Sequence, residues 1–161
     1  RDESDKIELN RMLAAVVEVH HTSGSRGDGK IAFEETSKGP FPILGNQGRV
    51  VQVLQNLITN AVSFSPLEGL VMVRIGRDRD WVVVTIEDDG PGIPSGSLEK
   101  IFDRFYSERP DTEQFGTHSG LGLSISRQIV AAHQGTIEAE NRTDLHGKVL
   151  GARFIVRLPA S

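Results

Sequence analysis

The sequence predicts an α+β fold in one domain, and three observations support this prediction. Three stretches carry apolar residues at the i, i+3, i+4 spacing of an amphipathic helix. Several other stretches alternate between apolar and polar residues, as half-buried strands do. The length of 161 residues is enough for one domain that buries its own core, and the chain has no cysteine for disulfide bonds.

Charge and hydropathy exclude two broad classes. The formal net charge is −4 with both signs mixed along the chain, whereas a general nucleic-acid binder concentrates basic residues in one patch. The apolar runs are too short for a signal peptide or a transmembrane helix. The polar start at Arg1 is more typical of a piece cut from a longer protein than of a natural N-terminus.

The first predicted element is an amphipathic helix over residues 5–20, with Ser4 as its N-cap. A polar, glycine-rich loop follows, and then a short strand begins at Ile31. Pro40 and Pro42 are expected to interrupt regular structure before the next helix.

The second predicted helix covers residues 46–64 and has an unusual polar face. Gln52, Asn56 and Asn60 are four residues apart and therefore lie on one side of the helix. Asparagine is unfavourable inside a helix, so its repetition suggests a binding face, although two solvent-facing polar residues explain the spacing equally well. The neutral amide oxygen of Asn suits Mg²⁺. Phe64 lies one turn further along, where an aromatic ring can cover a planar base.

A predicted hairpin then leads into a turn of unusual composition. Strands over residues 70–75 and 81–87 are joined by a turn, and Asp88 follows the second strand directly. Its carboxylate can accept a hydrogen bond from an exocyclic amine, while Gly90 and Gly92 allow a flat ligand to approach the backbone. Taken alone, this stretch is more simply interpreted as an acidic turn or an Asp-Gly hairpin.

The remaining elements include a second glycine-rich segment. A short helix capped by Ser97 is expected, and residues 107–119 lack periodicity, which is typical of a functional lid or a disordered loop. Gly120 and Gly122 open the third helix, where free N–H groups favour a phosphate, although an ordinary helix start is the more frequent explanation. Two strands, over residues 136–141 and 152–158, finish the chain, with Ile155 predicted to face outward.

These features together describe a pocket for a magnesium nucleotide. The chain has neither the GxxxxGK[ST] motif of P-loop NTPases nor a GxGxxG motif after its first strand. From about residue 31 to residue 159 it resembles the catalytic ATP-binding domain of bacterial sensor histidine kinases, in the GHKL superfamily. Four motifs of that family occur here in the right order and at compatible spacing.

The resemblance assigns roles to individual residues. In the N box, Asn60 would hold Mg²⁺ and Asn56 would contact the phosphates, and Phe64 keeps the aromatic residue of the motif. In the first glycine box, Asp88 would accept from the adenine amine, with Ile93 beside the base. The other nucleotide-binding positions implied are Gly90, Gly92, Phe105 and Tyr106 of the F box IFDRFY, and Ser119, Gly120, Leu121, Gly122 and Leu123 at the second glycine box, with residues 107–119 as the ATP lid.

The resemblance also implies an architecture and a set of partners. The expected fold is a two-layer α/β sandwich, with a mixed sheet of about five strands under three helices. Residues 1–22 would form a helix linking an upstream dimerisation and phosphoacceptor domain to the ATP-binding domain of residues 23–161. The domain would be cytoplasmic, within an inner-membrane sensor protein. It would be monomeric when isolated, although the full kinase would be a homodimer that signals to a response regulator.

The expected reaction is transfer of the γ-phosphoryl group of ATP to a histidine outside this chain. None of the five histidines is followed by the acidic residue and nearby proline of the family's acceptor motif: His20, His21, His118, His133 and His146. Two departures concern single positions, because Ser63 replaces a common Lys and Gln134 a common Gly. The alternatives are a GHKL serine kinase, an ATPase, for which Gln52 and Gln55 stand in place of a catalytic Glu, and a nucleotide-binding module without catalysis.

Overall fold

A computed structural model describes residues 4–23, 30–66, 68–103 and 122–161. These residues form a five-stranded mixed sheet and three α-helices, together with a two-stranded ribbon at the N-terminal side. No helix within the described ranges is long and apolar enough to cross a bilayer. The strands are β1 Asp5–Glu8, β2 Lys30–Glu35, β3 Pro42–Gly45, β4 Leu70–Asp78, β5 Trp81–Glu87, β6 Thr136–Thr143 and β7 Val149–Pro159, and the helices are α1 Leu9–Ser23, α2 Gln47–Phe64 and α3 Gly122–Ala132.

The main sheet places β5 at its centre. Its strand order is β2-β4-β5-β7-β6, with β2 and β4 parallel and the other neighbours antiparallel. The turn of the β4–β5 hairpin lies next to the pair Asp78 and Trp81. β5 then runs away from this turn along β4 and ends at Glu87, at the opposite edge of the paired region. Whatever follows Glu87 is therefore held between β4 on one side and β7 on the other.

The core lies between this sheet and the helices. Val82, Val84 and Ile86 are fully buried on one face of β5, as the alternation of the strand predicts. The apolar stripe of α2 lies in the same hydrophobic cluster. Burial of each such side chain contributes about 1.5–3 kcal/mol relative to exposure, which fixes the position of α2 over the sheet. Asn46 caps the helix, since its side chain accepts a hydrogen bond from Arg49 N at 3.0 Å.

The N-terminal segment differs from the sequence prediction of one helix over residues 5–20. Residues 5–8 form β1, which pairs antiparallel with β3, and the helix begins only at Leu9. Pro42 is the first residue of β3 and does not interrupt it, because proline is tolerated at the start of a strand. Leu9 and Leu13 of α1 are fully buried in the main core, so this segment packs as part of the domain.

Smaller differences concern element ends and faces. The short helix expected from Ser97 is instead two 3-10 turns, at Ser95–Ser97 and Lys100–Phe102. Ile155, predicted to face outward, is only 9% exposed because its neighbours on that face cover it. At the end of α3 the left-handed residue is Gln134, with φ of 62°, and the predicted cap Gly135 donates its N–H to Val130 O. This explains why a glycine would be common at position 134.

Candidate functional site

Asp88 is buried at the end of β5 with one of its two carboxylate oxygens fixed. The residue is 4% exposed, and Oδ1 accepts hydrogen bonds from Gly90 N at 2.8 Å and Ala152 N at 3.1 Å. Burial raises the pKa of this carboxyl above its ordinary value, against the opposing effect of these two N–H groups and of the Arg142 guanidinium. No residue in the described part of the chain donates to Oδ2, so this oxygen remains available to a ligand.

The turn after Asp88 lies directly against the end of α2. A Cβ on Gly90 would come within 2.6 Å of the Phe64 carbonyl oxygen, so only glycine allows this approach. Gly92 has a φ of 85°, which also favours glycine. The turn therefore brings Asp88, and with it the first glycine box, close to Phe64 at the C-terminal turn of α2, although the two residues were predicted from separate motifs.

Two polar side chains of β6 hold the same turn, and sequence reasoning did not identify them. Asn141 Oδ1 accepts from Ile93 N at 2.7 Å, and Asn141 Nδ2 donates to Ile93 O at 2.7 Å. Arg142 Nη1 donates to the Asp88 carbonyl oxygen at 2.6 Å. Their roles depend on the register of β6 against β7, which the alternation within β6 does not specify.

The asparagines of α2 face the start of α3. Asn56 Nδ2 lies 3.4 Å from Gly122 O and 3.3 Å from Ser126 Oγ, so the N-box residue and the second glycine box are in contact. Asn60 lies one turn further along the same helix face, and no described residue hydrogen-bonds to its side chain. Its neutral oxygen has the chemistry that a magnesium ion prefers.

Gly122 and Leu123 begin α3 beside Asn56. A Cβ on Gly122 would make only an ordinary contact of 3.8 Å with Asn56, so protein packing alone does not require glycine there. Leu123 is half-buried against the core. The first residues of this helix have N–H groups without partners inside the helix, which is the arrangement that favours an anion.

The F box is anchored at its described end. Ile101 and Phe102 are each 5% exposed, and the Phe102 ring contacts Phe154 edge-on at 6.2 Å. The Arg127 guanidinium of α3 lies 4.3 Å from the centre of the Phe102 ring. The other predicted site residues lie outside the described residues, as does the predicted lid of residues 107–119: Phe105, Tyr106, Ser119, Gly120 and Leu121.

Comparison with known families identifies this arrangement. The profile of the family described as "Histidine kinase-, DNA gyrase B-, and HSP90-like ATPase" matches residues 45–161. The chain belongs to this ATPase family. The matched residues of the ATPase domain include α2, the turn after β5 and α3, which carry every predicted site residue that the structure describes.

Sensor kinases are the relatives that this ATPase domain matches. It is 42% identical to sensor protein ChvG of Rhizobium meliloti over 166 residues, covering 99% of this chain and 29% of that protein. It is 30% identical to sensor histidine kinase CpxA of Escherichia coli strain K12 over 158 residues, covering 97% of this chain and 32% of that protein. The chain thus spans about a third or less of these relatives' length.

Solved structures of histidine kinases have the same fold. The nucleotide-free catalytic domain of histidine kinase ThkA superposes with a TM-score of 0.83 at 28% identity, over 98% of both chains. ThkA in complex with response regulator protein TrrA gives a TM-score of 0.80 at 27% identity, over 99% of this chain and 42% of that one. The five-stranded sheet and its helices are those of a histidine kinase catalytic domain, as the sequence predicted.

Proposed function

We propose that this domain binds Mg-ATP and transfers its γ-phosphoryl group to a histidine on a separate dimerisation domain, as the catalytic part of a two-component sensor kinase. The observation that carries the proposal is the buried Asp88, with one oxygen fixed by two backbone N–H groups and the other without a donor among the described residues. Membership of the ATPase family and similarity to sensor kinases support it.

Asp88 supplies selectivity for adenine. The free Oδ2 accepts from the 6-amino group of adenine, whereas the 6-carbonyl group of guanine would place an oxygen against a buried carboxylate. A buried charge that loses its partner costs more than a weakened surface contact, so this position discriminates strongly. Phe64 adjoins the turn that presents Asp88, and Ile93 ends that turn, so both are assigned to packing against the base.

The phosphates are placed by α2 and α3. Asn56 contacts Gly122 at the start of α3 through its amide nitrogen, so its amide oxygen is assigned to the phosphate side of the site, and Asn60 would hold the metal ion. A Mg²⁺ ion held there would supply positive charge that offsets the charge of the phosphates. What the chain itself contributes is positioning, which accounts for most of the catalysis of phosphoryl transfer.

The phosphoacceptor is assigned to another domain because two histidines make structural contacts and a third lacks the sequence context of an acceptor. His20 Nε2 lies 3.1 Å from Thr59 Oγ1 and joins α1 to α2. His133 Nε2 accepts from Asn46 N at 3.1 Å beside the cap of α2. His146 lies in the β6–β7 connection, which has no acidic residue and proline after it. The expected partners are therefore an upstream domain with the acceptor histidine and, after it, a response regulator.

Calorimetric titration with nucleotides in the presence of Mg²⁺ tests the nucleotide site. The chain should bind ATP and reject GTP, and Asp88→Asn should lose about 2 kcal/mol of ATP affinity, because Asn presents a donor to the adenine amine. Ser97→Ala, at a partly exposed residue outside the site, serves as the control variant and should bind as the parent does. Equal affinity for ATP and GTP would contradict the assignment of Asp88.

A further inference from the structure

The end of β6 touches the glycine turn on both sides of its backbone. Asn141 forms two 2.7 Å hydrogen bonds with the N–H and the carbonyl of Ile93, so both backbone polar groups of that residue are satisfied by one side chain. Arg142 reaches the other side, with Nη1 2.6 Å from the Asp88 carbonyl oxygen and 3.3 Å from Asp89 Oδ1. The turn is therefore held at Asp88 and at Ile93 by neighbouring residues of one strand.

Arg142 makes these contacts across an intervening strand. In the sheet, β7 lies between β6 and β5, and the residue of β7 opposite Arg142 is Gly151. A Cβ on Gly151 would collide with the Asp88 carbonyl oxygen and lie 3.0 Å from Arg142 Nη1. Glycine at this position thus leaves the gap through which the guanidinium reaches the end of β5.

We propose that Asn141 and Arg142 are positioning residues for nucleotide recognition, fixing Asp88 and Ile93 in the geometry that meets the base. This inference rests on the proposed function, in which Asp88 accepts from adenine and Ile93 packs beside it. Neither residue needs to touch the nucleotide. Each acts through the backbone of a residue that does.

Charge supports the role of Arg142. Burial raises the pKa of Asp88 and the adjacent Asp89 raises it further, while Arg142 lowers it together with the N–H groups of Gly90 and Ala152. Glu87 pairs with Arg74 Nη1 at 3.2 Å, with Arg153 Nε at 2.7 Å and, less closely, with Arg142 Nε at 3.6 Å, whereas Arg142 Nη1 is directed at Asp88 and Asp89. Arg142 therefore also favours the ionised Asp88 that an amine requires.

The test compares Arg142→Met with Arg157→Met. Arg157 is also an arginine of the β6–β7 pair, but its partner is Glu138 at 3.5 Å, away from the turn. Two measurements are made on each variant and on the parent. The first is amide hydrogen exchange at Gly90, Ile93 and Ala152 without nucleotide, and the second is the ratio of affinities for ATP and ITP, which differ at the 6-position of the base.

We expect Arg142→Met to accelerate exchange at the turn and to reduce the ATP to ITP ratio by about tenfold, the loss expected for a charged hydrogen bond. The pH below which ATP affinity falls should rise, because the pKa of Asp88 loses an opposing cation, and Arg142→Lys should restore this pH. Asn141→Ala should accelerate exchange at Ile93. Arg157→Met should change none of these quantities.

Unchanged exchange at the turn and an unchanged ATP to ITP ratio in Arg142→Met would overturn the inference, as would equal effects of Arg142→Met and Arg157→Met. The exchange measurement needs no ligand. If the parent chain bound neither nucleotide, the proposed function would fail, and faster exchange in the two β6 variants would still establish that Asn141 and Arg142 hold the turn.

Discussion

The ionised carboxylate of Asp88 is destabilised by its burial in the folded protein. Its pKa is raised in the folded protein, so the protonated carboxyl is favoured on folding. The stability that this group contributes is present in full below the ordinary pKa of aspartate and is lost as the pH rises through the raised value. At neutral pH the ionised Asp88 is therefore a cost to stability, retained for a reason other than folding.

Asp88→Asn should accordingly raise the melting temperature of the nucleotide-free domain at about pH 7, while it weakens ATP binding. The amide oxygen still accepts from Gly90 and Ala152, and the buried charge is removed. The gain should shrink as the pH is lowered and the parent carboxyl takes up its proton. Thermal unfolding of both proteins at several pH values measures this, and a lower melting temperature at neutral pH would count against the description of this site.

Asn60 offers a second test at a single residue. Asn60→Ala should weaken ATP binding in Mg²⁺ far more than in EDTA, because the lost oxygen is assigned to the metal ion and not to the fold. Titration calorimetry in the two buffers measures the difference. Asn10→Ala, a substitution on α1 away from the nucleotide, is the matched control. An equal loss of affinity in both buffers would contradict the assignment of Asn60 to Mg²⁺ and would indicate that it stabilises the fold instead.

Elements with a strong local pattern could be predicted from the sequence. The predicted strand over residues 81–87 has the same bounds as β5, and the predicted helix over residues 46–64 is α2 with its cap. Both have long periodic stretches bounded by turn residues. The positions of Asp88 and Gly90 follow from the end of β5, and that of Asn56 from the polar face of α2, whereas their roles at the site stay predictions.

Elements defined by distant pairing could not be predicted. The short β1 has little pattern of its own and exists because residues 42–45 pair with it. Asn141 and Arg142 reach the site only through the register of β6 on β7 and the gap at Gly151, neither of which is visible in the local sequence. Half of the second glycine box and the whole predicted lid lie outside the described residues, so those assignments remain predictions.

The burial of α1 in the main core leads to a prediction about where the domain begins. Leu13→Ala on α1 should cost about 2–5 kcal/mol of unfolding free energy, because Leu13 is fully buried in the main core. Leu44→Ala is the matched control, since Leu44 is 56% exposed and its truncation should cost far less. Urea denaturation measures both.

A chain starting at residue 23 should be poorly folded, and cooperative unfolding with unchanged stability would show that the domain begins there.

At the scale of the whole molecule, the sheet and helices bring together the described residues of the proposed nucleotide site. β5 presents Asp88, α2 presents Asn56 and Asn60, and α3 begins beside them. We infer that the nucleophile arrives on a second domain, which the length of the related sensor proteins leaves room for. Phosphoryl transfer would then depend on how that domain approaches the γ-phosphate.

The most direct measurement is phosphotransfer from labelled ATP with Mg²⁺, to this chain alone and to a longer form that includes the preceding domain with its acceptor histidine. We expect no acid-labile, alkali-stable phosphate on the chain alone, and we expect such phosphate on the histidine of the longer form. Asn60→Ala should abolish the labelling, because the metal ion would no longer be held in place. Two results would contradict this expectation. Acid-stable, alkali-labile labelling would indicate a serine kinase, and steady release of phosphate without any labelling would indicate an ATPase.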